Sequence, residues 1–156
     1  MDKQYVLDVK FLREAIRLSN DALKNGNEPF GAVLVKDETI VYTNENQIYT
    51  MHDPSFHGEA GLIRRFCGET GITDLSEYTM YSNCEPCFMC SGAMVWTKLG
   101  TLVYSASNRD LESILGREGF ECSKIVFEHS FHQPKVRSGL IRNESLEILE
   151  KYFFRN

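Results

Sequence analysis

Three of the five cysteines lie in one short run, NCEPCFMC, in which Cys84, Cys87 and Cys90 follow one another at intervals of three. Pro86 divides this run, because proline is favoured at the first position of a helix and forces the residue before it out of helical geometry. The run therefore predicts a strand, YTMYS over residues 78–82, followed by a helix that Pro86 opens. We expect Cys84 before this helix and the other two thiols in its first turn, on one face.

A second short motif, HGE at residues 57–59, stands where another helix is predicted to begin. The turn signal DPS precedes it, and apolar side chains repeat with helical spacing as far as about residue 67. Helix N-termini that follow strand or loop ends direct their amides at a common crevice. We therefore expect the two motifs to meet, with the imidazole of His57 beside the thiols of Cys87 and Cys90.

An imidazole and two thiolates form a ligand set that suits zinc, and three protein ligands leave a fourth position for water. The start of a helix lowers the pKa of a thiol, and zinc lowers the pKa of a bound water towards about 7. Glu59, two residues after His57, is placed to move a proton from that water to the substrate and the leaving group. This set predicts zinc-dependent hydrolysis, and attack of such a water on a ring carbon that bears an amino group, with loss of ammonia, would be hydrolytic deamination.

Two other interpretations of the same residues stay open. In the first, Cys84 joins His57, Cys87 and Cys90 in a closed structural zinc site, which leaves Glu59 without a role. In the second, the chain is a non-catalytic binding module that zinc stabilises.

The composition is that of an ordinary globular protein, with 42% hydrophobic and 25% charged residues. No apolar run approaches the roughly 20 residues that span a bilayer, and the N-terminus lacks the apolar core of a signal peptide. We therefore expect a cytoplasmic protein, with no membrane association and with reduced cysteines. The net charge of −5 argues against a nucleic-acid backbone as the main partner.

Strands and helices alternate after an initial hairpin, which predicts an α/β fold with a mixed sheet covered by helices on both faces. The predicted elements are a helix at 8–25, hairpin strands at 30–36 and 39–44, the helix near 57–67, the strand at 78–82, the helix that Pro86 opens, a strand at 100–106 and a helix from Asn143. Residues 107–142 receive no assignment, except that 124–128 are either a strand or a helical turn.

The two motifs in this order, H-x-E and then P-C-x-x-C, are the signature of zinc nucleobase deaminases. Together with PFGAVLV, NENQ and CEPCFMCSGAMVW, they show that most of the chain resembles the cytidine and nucleobase deaminase superfamily. The resemblance implies a single deaminase domain over residues 1–156, with a three-layer α/β/α fold and a five-stranded mixed sheet. It also implies one zinc on His57, Cys87 and Cys90, Glu59 as the proton shuttle, Asn46 as a contact to the base, and assembly as a homodimer.

Within the superfamily, PFGAV, CEPC and Trp96 most resemble bacterial guanine deaminases, which implies a free guanine-like purine or related heterocycle as substrate. In those enzymes an aromatic C-terminal tail closes over the site, and EKYFFRN is similar to such a tail. They also carry an acidic residue shortly after a Gly-Phe pair. Here Glu121 follows that pair directly, Cys122 stands where the acid is expected, and residues 109–118 look like an insertion. The candidate substrate contacts are Asn46, Phe30, Gly58 and Glu121.

Other members of the superfamily share parts of this pattern, so two further substrates stay open. The ending GLIRNESLEILEKYFFR resembles bacterial tRNA adenosine deaminases, although those have a smaller residue in place of Phe30 and a basic tail. The HGE motif also occurs in fungal-type cytosine deaminases. Cytosine or cytidine deamination and tRNA adenosine deamination are therefore the alternatives.

Overall fold

Helices and strands alternate along the chain. The computed structural model describes residues 1–119 and 123–154. In chain order the elements are α1 (Lys3–Lys24), β1 (Gly31–Lys36), β2 (Thr39–Glu45), α2 (Gly58–Thr70), β3 (Thr79–Cys84), α3 (Phe88–Trp96), β4 (Thr101–Ala106), α4 (Asn108–Leu115), α5 (Ser123–Glu128), β5 (Lys135–Ser138) and α6 (Arg142–Phe153). Within these two ranges, no helix combines the length and the apolar character needed to cross a bilayer.

The five strands form one mixed sheet in the order β2-β1-β3-β4-β5. Strand β1 is antiparallel to β2 and β3, whereas β3, β4 and β5 run parallel. The β1–β2 hairpin turns at Asp37 and Glu38, and both have positive φ, as the tightest hairpin turns require. Because β3 and β4 end at the edge where β1 begins, the connections after them meet at one crevice. The predicted five-stranded mixed sheet is confirmed.

Helices cover both faces of the sheet, so the predicted three-layer α/β/α arrangement is also confirmed. Helices α2, α3 and α5 pack on one face, around a core that includes Leu62, Met94 and Phe127. On the other face, α1 packs against the sheet through Phe11 and Leu12. A third, smaller cluster lies at the crevice end of β3 and β4 and consists of Cys84, Ala106, Leu111 and Leu149, which joins α4 and α6 to the sheet.

Several element boundaries differ from the sequence prediction for local reasons. Helix α1 begins at Lys3 rather than at residue 8, because Asp2 caps it by accepting a hydrogen bond from the amide of Gln4. The unassigned segment 107–142 contains α4, α5 and β5, and residues 124–128 belong to a helix. Helix α4 begins with a reciprocal capping box between Ser107 and Asp110, a signal that is present in the sequence but was not used.

A buried polar network fastens the outer helix α1 to the sheet. The carboxylate of Asp8, on α1, accepts hydrogen bonds from the Tyr81 hydroxyl of β3 at 2.7 Å and from Arg137 Nε of β5 at 2.7 Å. Gln4 donates a further bond at 2.9 Å. Burial alone would raise the pKa of Asp8, but these hydrogen bonds outweigh it and lower the pKa below its ordinary value. Asp8 is therefore held ionised inside the protein.

Candidate active site

The two sequence motifs meet where α2 and α3 begin. His57 is the N-cap residue of α2 and Cys87 is the N-cap residue of α3, and neither side chain caps its own helix. Instead, His57 Nδ1 lies 3.5 Å from Cys87 Sγ and 3.8 Å from Cys90 Sγ. Cys87 has extended backbone, so it precedes the first turn in which it was predicted, while Cys90 lies inside the helix.

The spacing of these three side chains fits a zinc ion. Zinc bonds of about 2.1 Å to nitrogen and about 2.3 Å to sulfur, at a tetrahedral angle, separate the ligand atoms by about 3.6 Å. The observed distances of 3.5 and 3.8 Å agree with that value, and all three ligand atoms lie within 4.8 Å of one another. The donor set is also chemically suited, because two thiols and one imidazole are ligands that zinc prefers.

Electrostatics favours the thiolate form at this position. A hydrogen bond from Cys90, with a second from His57, lowers the pKa of Cys87 to about 4. The same contact with Cys87, together with burial, raises the pKa of Cys90. The hydrogen bond to Cys87 also raises the pKa of His57, against the effect of burial. These interactions favour the thiolate at Cys87, the form in which cysteine binds a metal.

Cys84 lies apart from this group. It is the last residue of β3, is 1% exposed, and packs with Ala106, Leu111 and Leu149. Burial raises the pKa of its thiol well above the ordinary value, which keeps it protonated. The group of described residues that could hold a metal comprises His57, Cys87 and Cys90 and does not include Cys84.

A cavity of about 240 Å³ opens beside the three metal-binding side chains. This volume is below the roughly 300–1,000 Å³ of pockets that take drug-sized ligands, so it suits a smaller molecule. The described residues that line it are Glu28, Phe30, Asn46, His57, Glu59, Glu85, Cys87, Asn108, Leu111, Leu115, Arg117 and Phe153.

Glu59 lies in the first turn of α2 and lines this cavity. The residue is buried, with only 5% of its surface exposed. Burial, together with the neighbouring Cys87, raises the pKa of Glu59 to about 7. A buried carboxyl group beside the metal-binding side chains is well placed to exchange protons with a ligand in the cavity.

The backbone at the start of β1, which forms part of the cavity wall, is fixed by the side-chain amide of Asn83. Asn83 is fully buried in β3, where its Oδ1 accepts a hydrogen bond from Gly31 N at 2.9 Å and its Nδ2 donates to Pro29 O at 3.0 Å. Phe30 lies between these two contacts, and its ring packs 6.2 Å from the ring of Phe153 in α6. The aromatic C-terminal helix therefore does reach the cavity, as its resemblance to a closing tail implies.

Asn46 contributes an amide to the same wall. Its backbone N–H donates to Phe30 O at 2.9 Å, and its Oδ1 accepts from Ile48 N at 3.2 Å. Its side-chain nitrogen makes no hydrogen bond with the described residues. Because Asn46 lines the cavity, that nitrogen is free to donate to a ligand.

Two further predicted contacts lie differently. Gly58 is buried beneath Phe30, where an added Cβ would lie 3.4 Å from the Phe30 carbonyl oxygen, and it is not among the described residues that line the cavity. Glu121, with Phe120 and Cys122, lies outside the described residues. The contact of either residue with substrate stays a prediction.

Glu85 belongs to the site, and the sequence analysis did not single it out. Its buried carboxylate accepts hydrogen bonds from Asn108 N at 3.0 Å, Ser123 N at 2.8 Å and Ser123 Oγ at 2.6 Å. It thereby holds the start of α4 and the start of α5 against the end of β3. The signal was an acidic residue between two cysteines, but its partners lie in the unassigned segment.

Comparison with known families identifies the chain. Residues 6–106 match the model of the cytidine and deoxycytidylate deaminase zinc-binding region. The chain belongs to this deaminase family. The matched residues extend to the end of β4 and include both motifs. They therefore include all three metal-binding side chains.

Several deaminases, named for different substrates, are similar to this chain. Guanine deaminase of Bacillus subtilis (strain 168) is 38% identical over 76% of this chain and 74% of its own. A probable cytosine deaminase of Schizosaccharomyces pombe is 33% identical over 89% of this chain and 88% of its own. A solved structure from a study of A-to-I editing by tRNA:A34 deaminases superimposes with a TM-score of 0.77 at 28% identity, covering 90% of this chain and 99% of that one.

These findings confirm the predicted superfamily, the enzyme class and the cofactor. The protein is a zinc-dependent hydrolytic deaminase of the cytidine deaminase family. Its fold carries a His/Cys/Cys group that could hold the metal.

Proposed function

We propose that this deaminase acts on a free nucleobase or a related nitrogen heterocycle that resembles guanine in shape and hydrogen-bonding groups. The observation that carries the proposal is the cavity of about 240 Å³ beside the metal-binding group, whose lining includes the aromatic rings of Phe30 and Phe153. Flat aromatic walls suit a flat heterocycle. The similarity to Bacillus subtilis guanine deaminase supports a purine of that kind.

Five side chains of the site take a role in the proposed reaction, in which water replaces an amino group and ammonia leaves. His57, Cys87 and Cys90 hold the zinc, which when bound supplies a water acidified towards about pKa 7. Glu59 accepts a proton and delivers it to the departing amino group, since its buried carboxyl group lines the cavity. Asn46 donates a hydrogen bond to an acceptor on the ring, which orients the amino-bearing carbon.

Cytosine is the second candidate substrate, and the similarity to the Schizosaccharomyces pombe protein favours it. Adenosine in tRNA is the third, favoured by the likeness to the tRNA:A34 deaminase structure. Recognition of tRNA requires contacts to phosphates, which make binding strongly salt-dependent. The net charge of −5 weighs against that substrate.

We also propose that the chain works as a homodimer. Trp96 is 78% exposed and Phe131 is 63% exposed, and their rings contact each other edge to face with centroids 5.2 Å apart. Phe88, Met89 and Ile125 are further exposed apolar residues of α3 and α5. An exposed apolar patch of this kind marks a protein–protein interface, and a second copy of the chain is the proposed partner.

An ammonia-release screen tests the proposed reaction. The zinc-loaded protein is assayed with guanine, cytosine, adenine, their nucleosides, pterins and triazines, and we expect release from guanine or a close analogue. Glu59→Ala should keep its zinc and its fold but lose ammonia release by at least about 100-fold, because proton transfer contributes about that much. Glu147→Ala, an exposed glutamate on α6, is the control and should stay active.

Two outcomes would count against the proposal. Absence of ammonia from every heterocycle, with zinc bound, would favour the non-catalytic binding module. Activity on a tRNA anticodon stem-loop but on no free base would move the assignment to tRNA adenosine.

A further inference from the structure

Three glutamates, Glu28, Glu59 and Glu85, are among the described residues that line the cavity, and two of them already have a role. Glu59 is the proposed proton carrier. Glu85 is occupied by hydrogen bonds from three donors of Asn108 and Ser123. The side chain of Glu28 makes no hydrogen bond or ion pair with any part of the chain that the structure describes.

Glu28 is nevertheless held in a fixed place. Its backbone carbonyl accepts a hydrogen bond from Phe30 N at 2.8 Å, and the following Pro29 is anchored through its carbonyl to Asn83. Its partly buried carboxylate lies close enough to His57 and Tyr152 to interact with both electrostatically. Within residues 1–119 and 123–154, the cavity wall near the metal-binding group thus contains a carboxyl group that accepts no hydrogen bond.

We infer that Glu28 binds substrate by accepting a hydrogen bond from a ring N–H, distinct from the amino group that is lost. This inference rests on the proposed function. A carboxylate accepts hydrogen bonds and does not donate them, so it selects N–H groups and disfavours lone pairs and phosphates. With the Asn46 amide as donor, the wall presents one donor and one acceptor to the ring.

The inference narrows the substrate class. Free guanine, adenine and cytosine each carry at least one ring N–H, because the nitrogen that would bear the sugar is protonated. Adenosine and cytidine carry none, since the sugar replaces that hydrogen. Glu28 therefore selects a free base over adenosine in RNA and over cytidine, whereas guanosine keeps one ring N–H.

The test combines variants of Glu28 with substrates methylated at each ring nitrogen in turn. For the preferred free base, Glu28→Gln and Glu28→Ala should lower kcat/KM by about 10- to 100-fold, the contribution of a charge-assisted hydrogen bond. The loss should appear mainly in KM. For the wild type, methylation at one ring nitrogen should lower kcat/KM by a similar factor, because it removes the N–H that Glu28 accepts. For Glu28→Ala, the same methylated base should react as well as its parent base, because the hydrogen bond is already absent.

Controls separate this role from a structural one. Zinc content and thermal unfolding of Glu28→Gln should match the wild type, and Glu147→Gln makes the same chemical change on an exposed face of α6. The dissociation constant of the free base, measured by calorimetry with Glu59→Ala and with Glu59→Ala/Glu28→Gln, should rise by the same factor as KM.

The inference is overturned if every ring-methylated base reacts with the wild type as fast as its parent, a result that needs no variant. It is also overturned if the methylation penalty is the same with and without the Glu28 carboxylate. In both cases the wild type still releases ammonia, so the proposed function survives. Absence of ammonia from all bases in the wild type would instead contradict the proposed function itself.

Discussion

At the scale of single residues, the cysteines on either side of Pro86 have opposite environments. Cys84 ends a strand among apolar side chains, where burial raises the pKa of its thiol. Cys87 begins a helix and faces His57 at 3.5 Å, and hydrogen bonds lower the pKa of its thiol. Pro86 disfavours helical geometry in the residue before it, and it thus separates a core thiol from a metal-binding thiol.

We expect zinc binding to follow this division. Cys87→Ser and Cys90→Ser should each lose most of the bound zinc, because a hydroxyl is a much poorer zinc ligand than a thiolate. Cys84→Ser should keep about one zinc per chain, although a buried hydroxyl without a partner lowers the free energy of unfolding by about 1–3 kcal/mol. Elemental analysis of the purified variants measures the zinc. Loss of zinc from the folded Cys84 variant would instead support a closed structural site.

The sequence supported the metal-binding residues better than the substrate-binding ones. His57, Cys87 and Cys90 were predicted because a ligand set has a recognisable spacing, and the structure brings them together. Glu85 was missed because its partners, Asn108 and Ser123, lie in the segment that received no assignment. Glu28 was missed because no local pattern marks its side chain as part of the cavity lining.

At the scale of elements, the Asp8 carboxylate joins α1 to β3 and β5 through Tyr81 and Arg137. The Asp8 side chain is 2% exposed, whereas that of Arg137 is 38% exposed. Removing the charge leaves the guanidinium partly in solvent, so the cost is smaller than for a fully buried pair.

Asp8→Asn should lower the free energy of unfolding at neutral pH by about 2–3 kcal/mol. Because the pKa of Asp8 is lowered by folding, its contribution is complete above the ordinary pKa of 3.8 and is lost as the pH falls through the folded-state value. The difference between wild type and variant should therefore shrink below about pH 4. Urea unfolding at a series of pH values measures it, and a difference that stays constant down to pH 2 would contradict this account.

Element prediction succeeded where periodicity is strong and failed where capping decides. The hairpin, β3, α3 and β4 agree with their predicted segments because a run of apolar residues and a turn define each of them. The region 107–142 was left unassigned because its elements are short and depend on Glu85 and on the Ser107 capping box. Hydrogen bonds from other elements fix these helices more than their own composition does.

At the scale of the whole molecule, the exposed Trp96–Phe131 pair is the feature that a single chain does not explain. Aromatic residues of this kind are enriched at the centres of interfaces between subunits. The pair lies on α3 and in the segment after α5. The interface of a dimer formed through this surface would therefore include α3, the helix that also carries Cys90.

Trp96→Glu should convert the proposed homodimer into a monomer, because a charge buried at the centre of an apolar interface costs several kcal/mol. Sedimentation equilibrium measures the change in mass. Ile72→Glu, which places the same charge on another exposed apolar residue, should leave the dimer intact. A wild-type chain that sediments as a monomer at all concentrations would refute the proposed assembly.

The hydrogen bonds by which Glu85 joins α4 and α5 to the sheet have a consequence for how substrate specificity can change in such an enzyme. The residues for metal binding and proton transfer lie at the starts of α2 and α3, whereas Leu111, Leu115 and Arg117 come from α4 and the residues after it, which Glu85 helps to join to the end of β3. Leu111 packs in the cluster with Cys84, and Asp110 caps α4 and pairs with Arg142, so we expect the residues after Leu111 to tolerate substitution best. We therefore expect a library restricted to residues 112–119 to alter the choice of ring while the residues for metal binding and proton transfer stay in place.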